Sequence, residues 1–437
     1  MSDLRETVVA TATQWTSLPW LAPYREQSLA RVKAGQWPEL RQEHWMHSPV
    51  RRLHAALATP TPSDTLTDKT DSIPALDAMR IVFVDGAFDA DASTVAAMDG
   101  LTLVTFSEAT ADEQSRIVTH LGSCLNQADK RERHIMADLN GAMLSDGLFI
   151  QVDKNVQISR PIEVVYRTTG AATGLNNAPR LLVVLGTHAE ATVIEQFVNN
   201  AAGSAVVNAV AELVIGDNAT LKHYRLGVDQ HAMVHVGAVH VVLKNNANLK
   251  GFILALGSHF KRTDMVVHHT GQGSHCDVTG LYLTRGEEHS DLNACIEHRT
   301  PHCFTDEVFR GILADKSKAI FNGRIHIHPQ AQKTLANLSN KNLLLDQGAE
   351  IYTKPELEIY ADDVRCAHGA TVSQIQSDAL YYLQTRGIGR KEAEIMLSYG
   401  FINELLNTIS VAPLRAHLQS VLAVQFTRDS AILEHLG

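Results

Sequence analysis

The sequence predicts a mainly β protein, a solenoid of stacked β coils with α-helical regions on either side, and three observations predict it. First, short runs rich in β-branched residues follow one another through the middle of the chain: PIEVVY, RLLVVLG, ATVIEQFV, AELVIG, ATLKHYRL and VHVGAVHVVL. Turn signals separate them every eight to twelve residues or so, the spacing of an all-β unit. Second, no helical period interrupts them, which excludes βαβ crossovers and a doubly wound sheet. Third, a turn pattern recurs at Gly216-Asp-Asn-Ala219, Lys244-Asn-Asn-Ala247 and Asp346-Gln-Gly-Ala349, with Ala219 and Ala247 28 residues apart. A recurrence sustained over that length favours stacked coils over a closed barrel or a sandwich.

In chain order, residues 1–135 read as a mainly helical N-terminal region. Tyr24–Lys33 sets Leu29 and Val32 on one side of a helix that Gly35 ends. Pro38 is placed to open a second short helix holding Leu40, His44 and Trp45. Residues 59–74, TPTPSDTLTDKTDSIP, read as a flexible connection. Arg80–Val84 and Leu101–Phe106 are expected as strands, and Asp112–Ala128 as a helix. Trp15, Trp20, Trp37 and Trp45 all fall in this region and read as core residues of small helices. Residues 136–376 form the β core. Residues 377–437 return to a helical period: Ser377 and Asp378 cap a helix from Ala379 that Gly387 ends. A second helix follows from about Lys391, with Ile395, Tyr399, Ile402, Leu406 and Ile409 in one apolar stripe closed by Pro413, and a third completes the chain.

Composition narrows the function classes. Of 437 residues, 45% are hydrophobic and 20% charged, which fits a folded chain. With 38 basic against 48 acidic residues, a formal charge of −10 and no dense Lys/Arg run, neither nucleic acid nor an anionic membrane is the expected partner. No apolar run approaches the roughly 18 residues of a spanning helix, and the first residues lack a signal-peptide layout. Cys124, Cys276, Cys295, Cys303 and Cys366 are scattered and contain no CxxC pair, so free thiols in a reducing cytoplasm are expected.

The motifs of nucleotide chemistry are missing. There is no G-x4-G-K-[ST], so the chain has no ATP site of that kind, and no motif marks a flavin. Gly271-Gln-Gly273 and Gly387-Ile-Gly389 lack the third glycine and the βαβ setting of a dinucleotide loop. H-E-x-x-H and G-x-S-x-G are also missing. What stands out is 22 histidines. His268 and His269 are adjacent, His275 is beside Cys276, His326 and His328 lie in RIHIHP, and Cys366 lies two before His368. Residues i and i+2 of a strand share a face, so Cys366 can present a thiolate beside the His368 imidazole, and His326 pairs with His328. Such ligands suit iron, zinc or copper, but two do not complete a site. Cys295-x2-His298-x3-His302-Cys303 is denser, and Pro301 places a turn within it that would set the two cysteines across neighbouring strands. Without tight knuckles, packing is the stronger reading there.

The segment Phe321–Ile375 contains FNGRIHI, AQKT, NLLL, TKPELEIYADDV and CAHGATV. It resembles the signature region of the SufB/SufD family of iron–sulfur cluster assembly proteins. RHIMADLNGAMLSDGLFIQVDKNVQISRPIEVVY resembles the lead-in to that family's β domain, GQWPELRQEHWMHSPVRRL its N-terminal helical motif, and LYYLQTRGIGRKEAEIMLSYGFINELL its C-terminal helical domain. The SufD branch is the closer match, because the cysteine-rich N-terminal motif of SufB is missing and Cys366-x-His368 precedes GATV. Ser373 stands where glycine is frequent in the family and Arg365 where lysine is common. The resemblance implies a right-handed parallel β-helix and a complex with SufB and the ATPase SufC, the latter docking on the C-terminal helices. It implies a transient iron–sulfur cluster at the SufB interface, with His368 as the main ligand and Cys366 a weaker neighbour. It also leaves open a homodimer of the isolated chain through the edge SufB would occupy.

On this reading the chain is a non-catalytic scaffold. The alternative is a β-helix carbohydrate lyase or hydrolase using Asp362 and Asp363, or Glu356 and Glu358 at i,i+2 spacing. A hexapeptide acyltransferase, prompted by Ile215-Gly-Asp-Asn-Ala-Thr220, is disfavoured because the hexad does not repeat contiguously.

Overall fold

The computed structural model describes residues 2–14, 16–58, 72–128, 135–169, 177–199, 205–228 and 233–427. Trp15 and most of the Thr- and Pro-rich connection lie outside these residues. The N-terminal region contributes helices α1 (Ser2–Gln14), α2 (Ala22–Ala34), α3 (Val50–Ala58), α4 (Ala111–His120) and α5 (Ile135–Ala142). It also contributes strands β1 (Met79–Val84), β2 (Ala87–Thr94) and β3 (Leu101–Thr105). The coils follow as β4 (Gly147–Val152), β5 (Ile162–Thr168), β6 (Arg180–Leu185), β7 (Glu190–Asn199), β8 (Ala205–Ile215), β9 (Thr220–Gly227), β10 (Met233–Leu243) and β11 (Asn248–Leu256). They continue as β12 (Phe260–His269), β13 (His275–Thr284), β14 (His289–His298), β15 (Phe304–Leu313), β16 (Lys318–Ile327), β17 (Leu335–Leu344), β18 (Glu350–Ile359) and β19 (Arg365–Gln374). Helices α6 (Ser377–Thr385), α7 (Arg390–Leu406) and α8 (Ala412–Thr427) close the described chain.

Alternate strands fall into two sheets. One has ten strands in the order β19-β17-β15-β13-β11-β9-β7-β5-β1-β2, the other nine in the order β18-β16-β14-β12-β10-β8-β6-β4-β3. From β4 onward every pairing between coils is parallel, so the chain is a β solenoid, as the sequence predicts. The recurring turn explains the register. Asn218 and Asn246 both take positive φ (57° and 50°), and Asn246 Nδ2 donates to Asn218 Oδ1 at 3.2 Å on the coil before. Ala219 and Ala247 then enter the core with no exposed surface. Asn tolerates that backbone, and its amide carries one turn onto the next. Gly271 belongs to the same stack: a Cβ there would lie 2.0 Å from the Asn245 backbone nitrogen. It is a close-approach glycine and not a phosphate loop.

The interior is a continuous apolar column that includes Val183, Leu213, Val241, Val267, Ile296 and Ile325. Glu307 interrupts it. Its carboxyl is fully buried, has no hydrogen-bond partner among the described residues, and is pushed up to about 8 by burial and then by Asp306.

The first coils are covered. β1–β2 and β3–β4 are antiparallel and close the starting edge of each sheet. The N-terminal segment is strapped to the flank by Arg262, which is 1% exposed. Its guanidinium pairs with Asp264 (2.8 Å) and Asp291 (2.7 Å), donates to the His44 carbonyl (2.8 Å) and lies 4.0 Å from the centre of the Trp45 ring. Deeper, Arg180 joins Asn140, Glu212 and Tyr24, tying α5 and α2 to the sheet. At the other side, Ile402, Leu405 and Leu406 of α7 and Leu414, Leu418 and Leu422 of α8 pack on Leu254, Leu281 and Ile312.

Several local expectations are corrected. The helix foreseen over Asp112–Ala128 stops at His120, because Gly122 at φ 80° turns the chain; a 3-10 turn follows at Leu125–Gln127. Pro38 opens no helix: a 3-10 turn holds Glu43–Trp45, Leu40 is exposed, and the real helix is α3. β2, polar in sequence, was not foreseen. α6 begins at Ser377 behind Gln376, without a side-chain cap. Pro413 lies in the first turn of α8, where its missing N–H costs nothing, and does not close α7. Among the described residues no helix is long and apolar enough to cross a membrane.

Candidate functional site

The last coil differs from all others in exposure. β18 and β19 end their sheets, and nearly every residue of β19 is exposed. In its register, Cys366 lies beside Ala336 and His368 beside Leu338, both members of the interior column. Cys366 is half-buried and packs against that column; His368, two residues on and so on the same face, is exposed. The two side chains therefore continue the interior at the end where, among the described residues, no further coil covers it. Burial pushes the Cys366 thiol up, which holds it in the protonated form.

The turn leading into β19 is stacked on the turn before it. Lys333 N donates to the Asp363 carbonyl at 2.6 Å, Asp363 N donates to Gln332 Oε1 at 2.9 Å, and Lys333 forms an ion pair with Asp363. At this corner, one coil back, lies a second group. His326 and His328 share a face, as expected, with ring centres 4.2 Å apart. Both converge on Glu297, whose Oε2 lies 2.9 Å from His326 Nδ1 and 2.7 Å from His328 Nε2. Arg324 donates to Glu297 Oε1 (2.9 Å), to both oxygens of Glu358 (3.1 Å each) and to Cys295 Sγ (3.3 Å).

The dense Cys295–Cys303 motif divides. Cys295 faces Arg324, whereas Cys303 is buried at the corner against Ser274 and Thr300. His298 stacks on His269 (4.3 Å, 8°), and Thr305 Oγ1 lies 3.0 Å from His298 Nε2 and 3.1 Å from His269 Nε2. Burial pulls His298 down to about 3 and His269 well below its ordinary value, so both are neutral. Cys303 joins this buried group, its thiol within 4.8 Å of a ring nitrogen of each histidine. His302 is exposed on a turn at φ 61°. His275 is exposed, while Cys276 points into the core and His268 is fully buried. All five cysteines are free thiols.

Sequence reasoning missed Glu297 and Arg324. The signal was available: Glu297 pairs in register with His326, and His269 with His298, each 29 residues apart in the chain. Adding one coil to a chemistry-bearing residue finds its neighbour. Of the carboxylates weighed for glycan chemistry, Glu358 is held by Arg324, Glu356 by Lys354 and Asp363 by Lys333.

The family model described as SUF system FeS cluster assembly, SufBD core domain, matches residues 166–401, and the SufBD protein N-terminal region matches residues 9–164. The chain belongs to the SufBD family. Three of its SufBD relatives match along two thirds or more of their length. A SufBD family protein of Synechocystis is 26% identical over 394 residues, covering 87% of this chain and 86% of that one. The iron–sulfur cluster assembly protein SufD of Escherichia coli is 28% identical over 391 residues, 89% of each chain. SufD of Bacillus subtilis is 26% identical over 295 residues, 67% of each. The SufBD core match contains the whole last coil and α6, so Cys366, His368 and the exposed edge lie within the part the family defines.

Proposed function

We propose that this chain is a SufD-like, non-catalytic scaffold subunit of the cytoplasmic SUF machinery, and that its last coil pairs with SufB to form the site where an iron–sulfur cluster assembles. The cluster is cargo here, formed and passed on. The observation that carries the reading is the bare end of the solenoid. An uncovered parallel edge is a template for another chain, and this one carries His368 and Cys366 at its mouth. The His368 imidazole is exposed and open to an incoming metal. The thiol, held protonated by burial, must lose its proton to ligate, which makes Cys366 the weaker partner. Two ligands on one face leave coordination positions that only a facing subunit fills. SufC docks on the C-terminal helices: α6 buries no residue and exposes Tyr381 (70%) and Tyr382 (56%), the amphipathic surface that protein interfaces favour.

The test is anaerobic co-purification of the tagged chain with SufB and SufC from the same host. The expected result is a stoichiometric complex in which His368→Ala loses reconstituted cluster absorbance while retaining its subunits. A complex that keeps full cluster absorbance without His368 overturns the ligand assignment. Failure to retain either partner overturns the scaffold reading itself.

A further inference from the structure

We propose that Glu297, His326 and His328 form a binding site for a divalent first-row metal ion of the Fe²⁺–Zn²⁺ class, separate from the His368 edge. The three side chains come from adjacent coils: Glu297 from β14, His326 from β16 and His328 from the residue that follows β16. Their ligand atoms lie within 4.8 Å of one another. Both imidazole nitrogens sit 2.7–2.9 Å from one carboxylate oxygen. Neighbouring ligands on an octahedral ion with bonds of about 2.1 Å lie roughly 3 Å apart, which the two Glu297–histidine pairs already match, while the two histidine nitrogens lie within 4.8 Å of each other. Two imidazoles and one carboxylate suit Fe²⁺ or Zn²⁺, and do not suit Ca²⁺ or Mg²⁺, which take oxygen ligands.

The surroundings support a cation. Glu297 is 1% exposed; Arg324 donates to its Oε1, which also lies 3.0 Å from His326 Nδ1, and both imidazoles meet its Oε2, the oxygen a metal would take in their place. Arg324 is in turn held by Glu358, so the carboxylate–guanidinium–carboxylate set carries one net negative charge with neutral imidazoles. That chain of contacts is the outer support that orients a metal ligand. Arg324 Nη2 also lies 3.2 Å from His326 Nδ1, a contact a bound ion replaces. The histidine side chains, 16% and 29% exposed, face outward, so an ion enters from solvent and keeps open positions for water or an incoming ligand. Cys295 Sγ lies 3.8 Å from Glu297 Oε1 and 3.3 Å from Arg324, on the Oε1 side of the carboxylate and not on the Oε2 side where the imidazoles meet, and is not a ligand. The site is a property of this chain alone and needs no partner, unlike the cluster position.

The experiment uses the full chain, stripped of metal and kept anaerobic. Zn²⁺ and Fe²⁺ affinities are measured against a chromophoric chelator, and Co²⁺ is added as a spectroscopic probe. The expected result is one tight equivalent for Zn²⁺ or Fe²⁺. His328→Ala and His326→Ala weaken it by at least about 100-fold, beyond the 10–100-fold typical of losing an outer-shell partner. His368→Ala leaves it unchanged, and bound Co²⁺ shows no thiolate charge-transfer band. Wild-type affinity in His328→Ala, or a thiolate band, overturns the proposal. His328 lies on the solvent side, so its variant keeps the test valid where Glu297→Gln disturbs folding; circular dichroism confirms the folded state.

Discussion

The two ends of the solenoid are built from the same strands and treated in opposite ways. At the first coils, β2 pairs antiparallel with β1 and β3 antiparallel with β4, so each sheet's starting edge is closed, and α2 and α5 are anchored through buried Arg180. At the last coil β19 offers an open ladder and an open interior, with Cys366 and His368 at its rim. A parallel sheet edge is a liability unless covered or used. One end is covered within the chain. The contrast sets the last coil apart as the end left open among the described residues, where the proposed interface lies.

The comparison can be broken most forcefully on the covered side. Arg262→Ala removes the strap between the N-terminal segment and β12–β14, leaving Asp264 and Asp291 buried without their cation. The expected loss is about 3–5 kcal/mol, read as a drop in the urea midpoint. A loss below about 1 kcal/mol would show that the segment is held by apolar packing alone.

The interior sharpens the contrast by pH. Glu307 has a folded pKa of about 8 against an ordinary 4.5. The folded state thus holds a proton that the unfolded chain releases above pH 4.5, and stability falls as pH rises from about 4.5 to 8. At pH 7 this costs about 3 kcal/mol. Glu307→Gln should stabilise the protein at pH 8 and leave it unchanged near pH 4, measured by denaturant titration at both. Equal effects at the two pH values would mean that the carboxyl finds a partner.

The smallest stability effect is expected at the bare end. Val372→Arg on β19, at a side chain half exposed, should move stability by less than about 0.5 kcal/mol yet abolish retention of SufB in co-purification. A destabilisation of several kcal/mol would mean that the last coil is structural and not an interface.

The coils were legible in the sequence because their turns repeat chemically: an Asn at positive φ followed by a small buried Ala at Asn218–Ala219 and Asn246–Ala247, and the buried Ala alone at Ala349. The α7 stripe was legible for the same reason, through its period. Legibility failed where one residue type serves two geometries. Pro413 both ends and begins helices, and the polar AFDADAST pairs as β2 only because β1 needs an edge partner. At the sites, Cys366 with His368 and His326 with His328 followed from i,i+2 spacing. Glu297 did not, because a contact across coils depends on register, which the sequence holds only as a distance of one coil. The burial of His268 and His298 was equally invisible, since it depends on which face the corner turns inward.

The Asn-capped turn stack sets a dimension as well as a fold. Each coil repeats its predecessor's register and adds one strand spacing, about 4.8 Å, to the length of the stack. The N-terminal segment also reaches the last coil directly, where His47 stacks on Tyr352 and Glu43 pairs with Lys354. The solenoid is a ruler graduated in coils: gaining or losing one would move the His368 rim by a single graduation relative to the N-terminal helices and part His47 from Tyr352 and Glu43 from Lys354.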